Sequence, residues 1–252
     1  MTQLHDPAPP TLRSESLDIL RTIGAGLAAA LVFQAVAFQP FTIPSASMEP
    51  GLVTGDYLVV SKFAYGWSRA SLPLGAPLPA GRVFGRLPTR GDVVVFRRPG
   101  DPRQVWIKRV IGVPGDRIEV IGGTVVVNGR ALSRRDLGPG IDPDAPERPV
   151  QRVEERQPGG RTYVTFDIGS GLDGDDRPAL VVPRGDLFVM GDHRDNSLDS
   201  RWAAHVGVGL LPVTNLVGRA EVVVASWKPG AALYKPWTWF NLRLGRVAQR
   251  IR

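Results

Sequence analysis

The sequence predicts a mainly β protein: an antiparallel β-sheet core with a smaller β/loop insert, preceded by one N-terminal transmembrane helix. The first observation behind this fold class is the content of turn formers, since the 252 residues include 29 Gly and 23 Pro, which argues against a helical bundle. The second is a series of short apolar runs bounded by those turn residues, as in antiparallel sheets. The third is a single long apolar run near the N-terminus, which predicts the helix.

Composition excludes several kinds of chemistry. There is no cysteine, so a thiol nucleophile, a disulfide framework and a thiolate metal site are excluded. The three histidines, His5, His193 and His205, are not at ligand spacing, and we expect no metal and no cofactor. The formal charge is +7, which fits a basic, soluble surface and, as more specific alternatives, binding to nucleic acid or anionic lipid. Since no basic block interleaved with aromatic residues occurs in the central region, we expect no nucleic-acid partner.

The apolar run extends over residues 19–43. A spanning helix needs about 20 apolar residues, so residues 18–40 are predicted to be the transmembrane helix and residues 1–17 a cytoplasmic tail. Two alternatives stay open. The run could be a buried core helix, or part of a cleaved secretory signal, because Ser45-Ala46-Ser47 resembles a small-x-small cleavage site.

The charges around this run predict its orientation. Arg13 lies before the predicted helix and Arg21 at its start, and no basic residue follows until Lys62. Positively charged residues are enriched on the cytoplasmic side of a span. We therefore expect a single-pass protein of the cell (inner) membrane, with its N-terminus in the cytoplasm and its main domain on the extracytoplasmic, periplasmic face.

The rest of the chain divides by composition. Residues 41–129 and 179–228 are predicted to form the β core, and residues 130–178, broken by many Pro and Gly, an inserted subdomain of low packing density. Residues 229–252 mix Trp with Arg, which suits a membrane interface and equally an ordinary solvated terminal helix. The predicted strands are 57–61, 92–96, 105–111, the hairpin of 117–121 with 124–127, 161–166, 179–182, 186–190 and 220–227.

A serine and a distant lysine are the first candidates for chemistry. A serine needs a base to become a nucleophile, and Ser47 follows the apolar run directly. Lys108 lies in the apolar run 105–111, where a strand would place it on one face with Trp106 and Val110. Burial there can lower the pKa of a lysine by up to about 3–5 from ~10.4 and leave it neutral. Spacing alone still favours a lysine whose amine reaches solvent from a strand edge.

A third segment, residues 191–201, directly follows an apolar strand and is dense in Asp, Arg and Ser. A solvated loop rarely needs so many alternating charged and hydroxyl groups, although the sequence alone leaves that interpretation open. With the serine and lysine segments, it favours a catalytic site.

These segments, in this order, resemble bacterial type I signal peptidase (leader peptidase), a family of membrane-bound Ser–Lys endopeptidases. The resemblance spans about residues 17–228 and is weakest in the insert, which matches in composition only. The matching pieces are Pro44-Ser45-x-Ser47-Met48-x-Pro50, Gly91-Asp92-Val93-Val94-Val95-Phe96, Lys108-Arg109-Val110-Ile111-Gly112-x-Pro114-Gly115-Asp116, residues 191–201 and Val217-Gly218-Arg219-Ala220.

The resemblance implies a serine endopeptidase that removes N-terminal signal peptides from exported preproteins. Ser47 would be the nucleophile and Lys108 the neutral general base. The Ser47 backbone N–H and the Ser45 hydroxyl would form the oxyanion hole, and Ser197 would orient the Lys108 amine. The implied partners are preprotein signal peptides and the lipid bilayer.

Two supporting ion pairs are implied as well, Asp192 with Arg109 and Asp199 with Arg201. Because successive side chains of a strand point to opposite faces, Arg109 is expected to point away from Lys108, which agrees with a structural role.

The family binds an extended signal-peptide end beside the strands that carry the serine and the lysine. The resemblance implies shallow apolar pockets that favour small residues, while backbone pairing supplies affinity. The residues expected to line these pockets are Ile43, Pro44, Met48, Trp106 and Ile107.

Two residues depart from the family pattern: His193 stands where Asn is most common, and Gly51 where a small hydroxyl residue is usual. A Ser–His pair through His193 is disfavoured because the lysine context is complete without it. The alternatives to the peptidase are an anchored non-catalytic β-domain scaffold and a self-cleaving Ser–Lys regulator. The regulator is disfavoured because such proteins carry a DNA-binding domain where this chain has its apolar run.

Overall fold

The computed structural model describes residues 12–72, 78, 81–143, 145–228, 230–231 and 234–251. Within them, one α-helix precedes a series of β-strands. The elements are α1 (Leu12–Val36), β1 (Phe38–Thr42), β2 (Asp56–Ser61), β3 (Val93–Arg98), β4 (Asp101–Gly112), β5 (Arg117–Ile121), β6 (Thr124–Val127), β7 (Arg130–Ala131), β8 (Ser133–Ile141), β9 (Pro149–Arg156), β10 (Thr162–Asp167), β11 (Arg177–Val181), β12 (Asp186–Met190), β13 (Leu211–Pro212), β14 (Leu216–Ser226) and β15 (Gln249–Arg250).

The main sheet has the strand order β1-β2-β14-β3-β4-β12-β13, with β15 added beside β14. Its neighbouring strands pair antiparallel. The predicted antiparallel β core is therefore confirmed. The central strand β4 lies between β3 and β12, which matters for the site because it carries the lysine.

Both faces of the main sheet are covered, which explains the continuous apolar runs of its central strands. Val93 and Val95 of β3 pack into a core cluster with Met48 on one face. Val94 and Phe96, which alternate with them, pack into a second cluster on the other face. All four β3 side chains are at most 3% exposed.

Two smaller sheets complete the fold, one with the order β10-β9-β8 and one with the order β11-β5-β6-β7. β5 and β6, which lie within the predicted core region 41–129, form part of the four-stranded sheet, and their buried side chains pack with those of β4 and β12. The strands of the insert bury apolar side chains of their own, including Val150, Tyr163 and Phe166.

The N-terminal helix differs from its prediction. It begins at Leu12, inside the predicted tail, and ends at Val36, after which β1 occupies residues that had been assigned to the span. Its apolar side chains are exposed, for example Leu27 at 62% and Leu31 at 65%, so the alternative of a buried core helix is wrong. Among the described residues, no helix combines the length and the hydropathy needed to cross a bilayer, and the predicted transmembrane helix over 18–40 is not found. Residues 1–11 of the predicted tail lie outside the described residues.

The C-terminal segment folds back onto the main sheet. β15 pairs with β14, and the Arg246 guanidinium binds buried Asp56 with an N–O distance of 2.6 Å. The described part of residues 229–252 contains no α-helix, so the alternative of a solvated terminal helix is wrong. Its short 3₁₀ turns and strand instead close one side of the core.

Candidate active site

Ser47 lies in a short 3₁₀ turn, Ala46–Met48, which follows β1. Ile43 before the turn is 4% exposed and Met48 at its end is 0% exposed, and both belong to the core cluster under the turn. These two apolar anchors fix the turn and leave Ser47 partly exposed between them. Ile43 and Met48 therefore pack beneath the serine turn, and neither is among the residues that line the cleft over Ser47, where the sequence had suggested them as pocket residues.

Lys108 lies on β4, opposite Val94 of β3, and is 4% exposed. Its Nζ is 2.7 Å from the Ser47 Oγ, within the distance that proton transfer to a general base requires. The sequence prediction that these two side chains meet agrees with this geometry.

Burial lowers the pKa of Lys108 to about 8. The carboxylates of Asp199 and Asp192 oppose this shift, and the positive charge of Arg201 adds to it. At pH 7 a lysine with this pKa is neutral in roughly a tenth of the molecules, against a few in ten thousand for an unperturbed lysine. The environment therefore supplies a usable fraction of free amine.

Ser45 immediately precedes the 3₁₀ turn in an extended conformation, with φ −144° and ψ 155°. Its hydroxyl makes no capping hydrogen bond to the turn, and it lines the same cleft as Ser47. The exposed Ser45 side chain therefore lies at the cleft beside Ser47.

The loop 191–201 leaves the end of β12, and β12 pairs with β4 through Met190 and Arg109. This pairing brings the loop beside Lys108. Within the loop, the Arg201 guanidinium donates two hydrogen bonds of 2.9 Å to Asp199, and the Gly191 N–H donates a third of 3.0 Å. Burial opposes ionisation of Asp199, but Arg201 and these donors hold the pKa of its carboxyl below the usual value.

The second expected ion pair is also present. Arg109 Nε and Nη2 donate to the two carboxylate oxygens of Asp192 at 2.7 and 2.6 Å, and both side chains are buried. The guanidinium stacks on the ring of Tyr163 at 4.0 Å from its centroid. Gly51 fits this pair, because a Cβ at Gly51 would lie 2.8 Å from Asp192 Oδ2.

Ser197 differs from its expected role. Its Oγ is buried and makes no hydrogen bond to any residue that the structure describes, so the expected contact with the Lys108 amine is not made. The side chain instead packs against Gly191, where an added Cβ would clash with Ser197 and come within 2.5 Å of the Ser47 carbonyl oxygen. This close packing places the loop against the serine turn.

A cleft of about 500 Å³ opens over Ser47 and Lys108. Three of the predicted pocket residues, Pro44, Trp106 and Ile107, line it. Two exposed apolar residues of the cleft were not predicted from the sequence: Leu198, which is 46% exposed, and Val105, which is 39% exposed. The further lining residues are Ser45, Asp195, Asn196, Ser197 and Trp202.

A larger cavity of about 730 Å³ lies elsewhere, between the insert and the C-terminal segment. Arg109 and Asp192 line it, whereas neither Ser47 nor Lys108 does. We assign the chemistry to the smaller cleft because the serine and the amine meet there.

The insert supplies charged partners to the loop that the sequence did not predict. Arg194 donates hydrogen bonds of 2.6 and 2.5 Å to Glu155 of β9, and both are buried. The sequence does contain a signal for Glu155. It alternates with Val153 and Gln157, so a strand places its carboxylate on the same buried face as these two side chains. Burial alone would lower the pKa of Arg194, but the negative charge of Glu155 outweighs this and raises that pKa above its usual value.

A serine hydroxyl that faces a buried amine in a cleft is the arrangement expected of a serine hydrolase with a lysine base. A family model described as signal peptidase, peptidase S26, matches residues 16–227. The signal peptidase I of Rickettsia typhi is 37% identical over 226 residues, which cover 86% of this chain and 80% of the relative. That of Rickettsia canadensis is 36% identical with the same coverage. The chain belongs to the signal peptidase family, peptidase S26, and is a serine endopeptidase.

A crystal structure of a signal peptidase I from Enterococcus faecalis is 26% identical, with a TM-score of 0.32. The match covers 53% of this chain and 97% of that one.

Proposed function

We propose that this protein removes N-terminal signal peptides from exported preproteins, with Ser47 as the nucleophile and neutral Lys108 as the general base. The observation that carries the proposal is the 2.7 Å contact between the Ser47 hydroxyl and a buried amine whose pKa is lowered to about 8. Membership of the signal peptidase family, shown by the matches to known signal peptidases, supplies the substrate class.

The reaction begins when the Lys108 amine takes the Ser47 hydroxyl proton as Oγ attacks the carbonyl carbon of the scissile peptide. The new C–O bond leaves negative charge on the carbonyl oxygen. The Ser47 N–H and the Ser45 hydroxyl donate to this oxyanion, and losing one such donor typically costs about 10²–10³ in rate. The Lys108 ammonium then gives its proton to the leaving amine as the C–N bond breaks.

The second half of the reaction releases the signal peptide. Lys108, now neutral again, takes a proton from water as the water oxygen attacks the ester that joins the peptide to Ser47. Collapse of this second tetrahedral intermediate breaks the ester bond, and the proton returns to the Ser47 oxygen. Both half-reactions use the same amine, which must therefore stay buried throughout.

Substrate binding follows from the shape of the cleft. On strand β4, exposed Val105 and the edge of the largely buried Ile107 line the cleft. We propose that this strand offers main-chain groups and apolar surface to an extended peptide. Trp106, Leu198 and Pro44 add apolar walls. We propose that small side chains of the signal-peptide end fit these walls, which is the origin of a small-x-small preference.

We also propose that α1 contacts lipid. Its exposed apolar side chains, among them Leu27, Leu31 and Phe33, have no protein core to cover them. The helix leads through β1 directly to the serine turn, so lipid contact at α1 holds the active site close to a membrane surface. An extracytoplasmic site there meets signal peptides as preproteins emerge.

The direct test uses purified full-length protein and a preprotein with a small-x-small site. The wild-type protein is expected to release a product whose N-terminus, mapped by mass spectrometry, begins after that site. Ser47→Ala is expected to give no product, while Ser133→Ala, which changes an exposed serine of β8, cleaves at the wild-type rate. Cleavage by Ser47→Ala, or none by the wild type, would count against the peptidase and favour a non-catalytic scaffold.

A further inference from the structure

A buried histidine and a buried aspartate meet at the boundary between the insert and the loop 191–201. His193 is 0% and Asp142 1% exposed, and the Nε2 of His193 is 3.2 Å from Asp142 Oδ2. Asp142 follows β8 in the insert. Neither residue lines the cleft over Ser47 and Lys108, so the proposed mechanism does not use this contact.

The protonation of the pair follows from its surroundings. Burial lowers the pKa of His193 below its usual value, although the carboxylates of Asp142 and Asp195 oppose this. A neutral imidazole that faces a carboxylate carries its proton on Nε2 and donates it to that carboxylate. His193 Nδ1 is then an acceptor, and it is buried with no hydrogen-bond partner among the described residues.

The backbone of His193 reaches the nucleophile. Its N–H donates to the Ser47 carbonyl oxygen at 3.2 Å. On the other side, β10 holds the same segment, since the Phe166 N–H donates to the Asp192 carbonyl and the Arg194 N–H donates to the Phe166 carbonyl, each at 2.9 Å. The Phe166 ring also packs edge-on against the imidazole, with centroids 5.6 Å apart. Backbone hydrogen bonds therefore connect β10 of the insert to the segment around His193, and that segment to the serine turn.

We propose that His193 and Asp142 are positioning residues for the nucleophile: the insert fixes the His193 imidazole, and the His193 N–H fixes the Ser47 peptide. The proposal rests on the proposed peptidase function and adds a task for the insert within it. The Ser47 carbonyl is bonded to the Ser47 Cα, so holding it restrains the Cα from which Oγ points towards Lys108 and the Ser47 N–H points towards the oxyanion. Small displacements of reacting groups reduce rates strongly, so an anchor outside the cleft affects turnover.

The test compares three carboxylate variants of the full-length protein. Asp142→Ala removes the acceptor, and we expect kcat to fall about tenfold with KM within about twofold. Asp142→Asn keeps an acceptor oxygen of the same size, and we expect kcat within about threefold of wild type. The control Asp173→Ala changes an exposed carboxylate and is expected to leave both constants unchanged.

A loss of packing alone predicts a different pattern. Asp142→Leu has a similar volume but no acceptor oxygen, so packing alone predicts kcat near wild type in this variant, whereas the proposal predicts the tenfold loss. Wild-type kcat in Asp142→Leu, a raised KM in Asp142→Ala, or an unchanged kcat in Asp142→Ala would overturn the proposal. If Asp142→Ala does not fold, His193→Phe keeps the ring against Phe166 but removes the donor. It is expected to show the same tenfold loss, and wild-type kcat in that variant would overturn the proposal.

Hydrogen exchange separates this proposal from the proposed function. The His193 N–H of the wild type is expected to be protected, and its exchange to accelerate at least about tenfold in Asp142→Ala while other core amides keep their rates. This readout does not require cleavage. An inactive wild type would end the peptidase proposal, whereas unchanged exchange at His193 would end the positioning proposal.

Discussion

Lys108 illustrates how one residue acquires its chemistry from its position. The side chain lies on a central strand, so the flanking strands β3 and β12 remove it from water and the ammonium form loses its solvation. The nearby carboxylates of Asp199 and Asp192 limit the fall in pKa. Asp199 is in turn engaged by Arg201 and Asp192 by Arg109, which restricts how strongly either can stabilise the ammonium.

The lowered pKa of Lys108 predicts that the free energy of unfolding depends on pH. Between pH 8 and about 10.5 the unfolded chain binds a proton at Lys108 that the folded chain does not, so the free energy of unfolding rises with pH in this window. A pKa lowered from 10.5 to about 8 corresponds to about 3 kcal/mol. Relative to Lys108→Met, the wild type is therefore expected to gain about 3 kcal/mol from pH 7.5 to pH 10.5 in urea unfolding. A constant difference between the two proteins across this range would mean that the amine is not desolvated.

Gly191 is the second residue whose identity the site requires. A Cβ at this position would clash with Ser197 and lie 2.5 Å from the Ser47 carbonyl oxygen, which is backbone and cannot move aside easily. Gly191→Ala is expected to reduce kcat by about tenfold or more through displacement of the serine turn. Gly245→Ala, where an added Cβ meets nothing within 4 Å, is the control and is expected to retain wild-type kcat. Equal activities of the two variants would show that the loop yields without moving Ser47.

At the scale of elements, the sequence predicted the strands of the core because their periodicity is local. The residues 105–111 and 186–190 form apolar runs that are typical of buried strands, and both are strands in the structure. The contacts of β9 with the loop 191–201 could not be predicted, since a charged pair such as Arg194 with Glu155 depends on which strands meet in three dimensions. The sequence likewise did not show which way the serine turn directs its flanking side chains. It suggested Ile43 and Met48 for the cleft, whereas both pack into the core.

The Arg194–Glu155 pair predicts how strongly the insert is bound to the loop. Removing one partner of a buried pair leaves the other charge uncompensated and typically costs about 3–5 kcal/mol. Glu155→Ala is expected to lose stability of this size in urea unfolding. Its neighbour Glu154 pairs with Arg135, which is 69% exposed, and Glu154→Ala is expected to lose at most about 1 kcal/mol. If both variants unfold alike, the insert is not held by this pair.

At the scale of the whole molecule, the chain combines a net charge of +7 with an exposed apolar helix at one end. The sequence predicted the order of apolar helix, core and insert, because composition changes at each boundary. It did not predict that residues 234–251 return to the core, since the contacts of Arg246 with Asp56 and of β15 with β14 join residues far apart in the chain.

The proposed lipid contact of α1 can be tested with vesicles that contain anionic phospholipid. The full-length protein is expected to sediment with them, and the double variant Leu27→Asp, Leu31→Asp to bind at least about tenfold more weakly because it places charges on the apolar surface. The matched control, Ile121→Asp with Val181→Asp, changes two residues that are each 56% exposed in the four-stranded sheet. Equal loss in both variants would place the lipid contact elsewhere.

If Lys108 acts as the neutral base for Ser47, the pH dependence of kcat/KM reports its ionisation most directly. This ratio reports the ionisation of the free enzyme. For cleavage of a preprotein by the wild-type protein, kcat/KM is expected to rise with pH to a half-maximal value at about pH 8, the pKa to which burial lowers Lys108. A half-maximal value near pH 10, or cleavage that persists in Lys108→Met at neutral pH, would contradict the account.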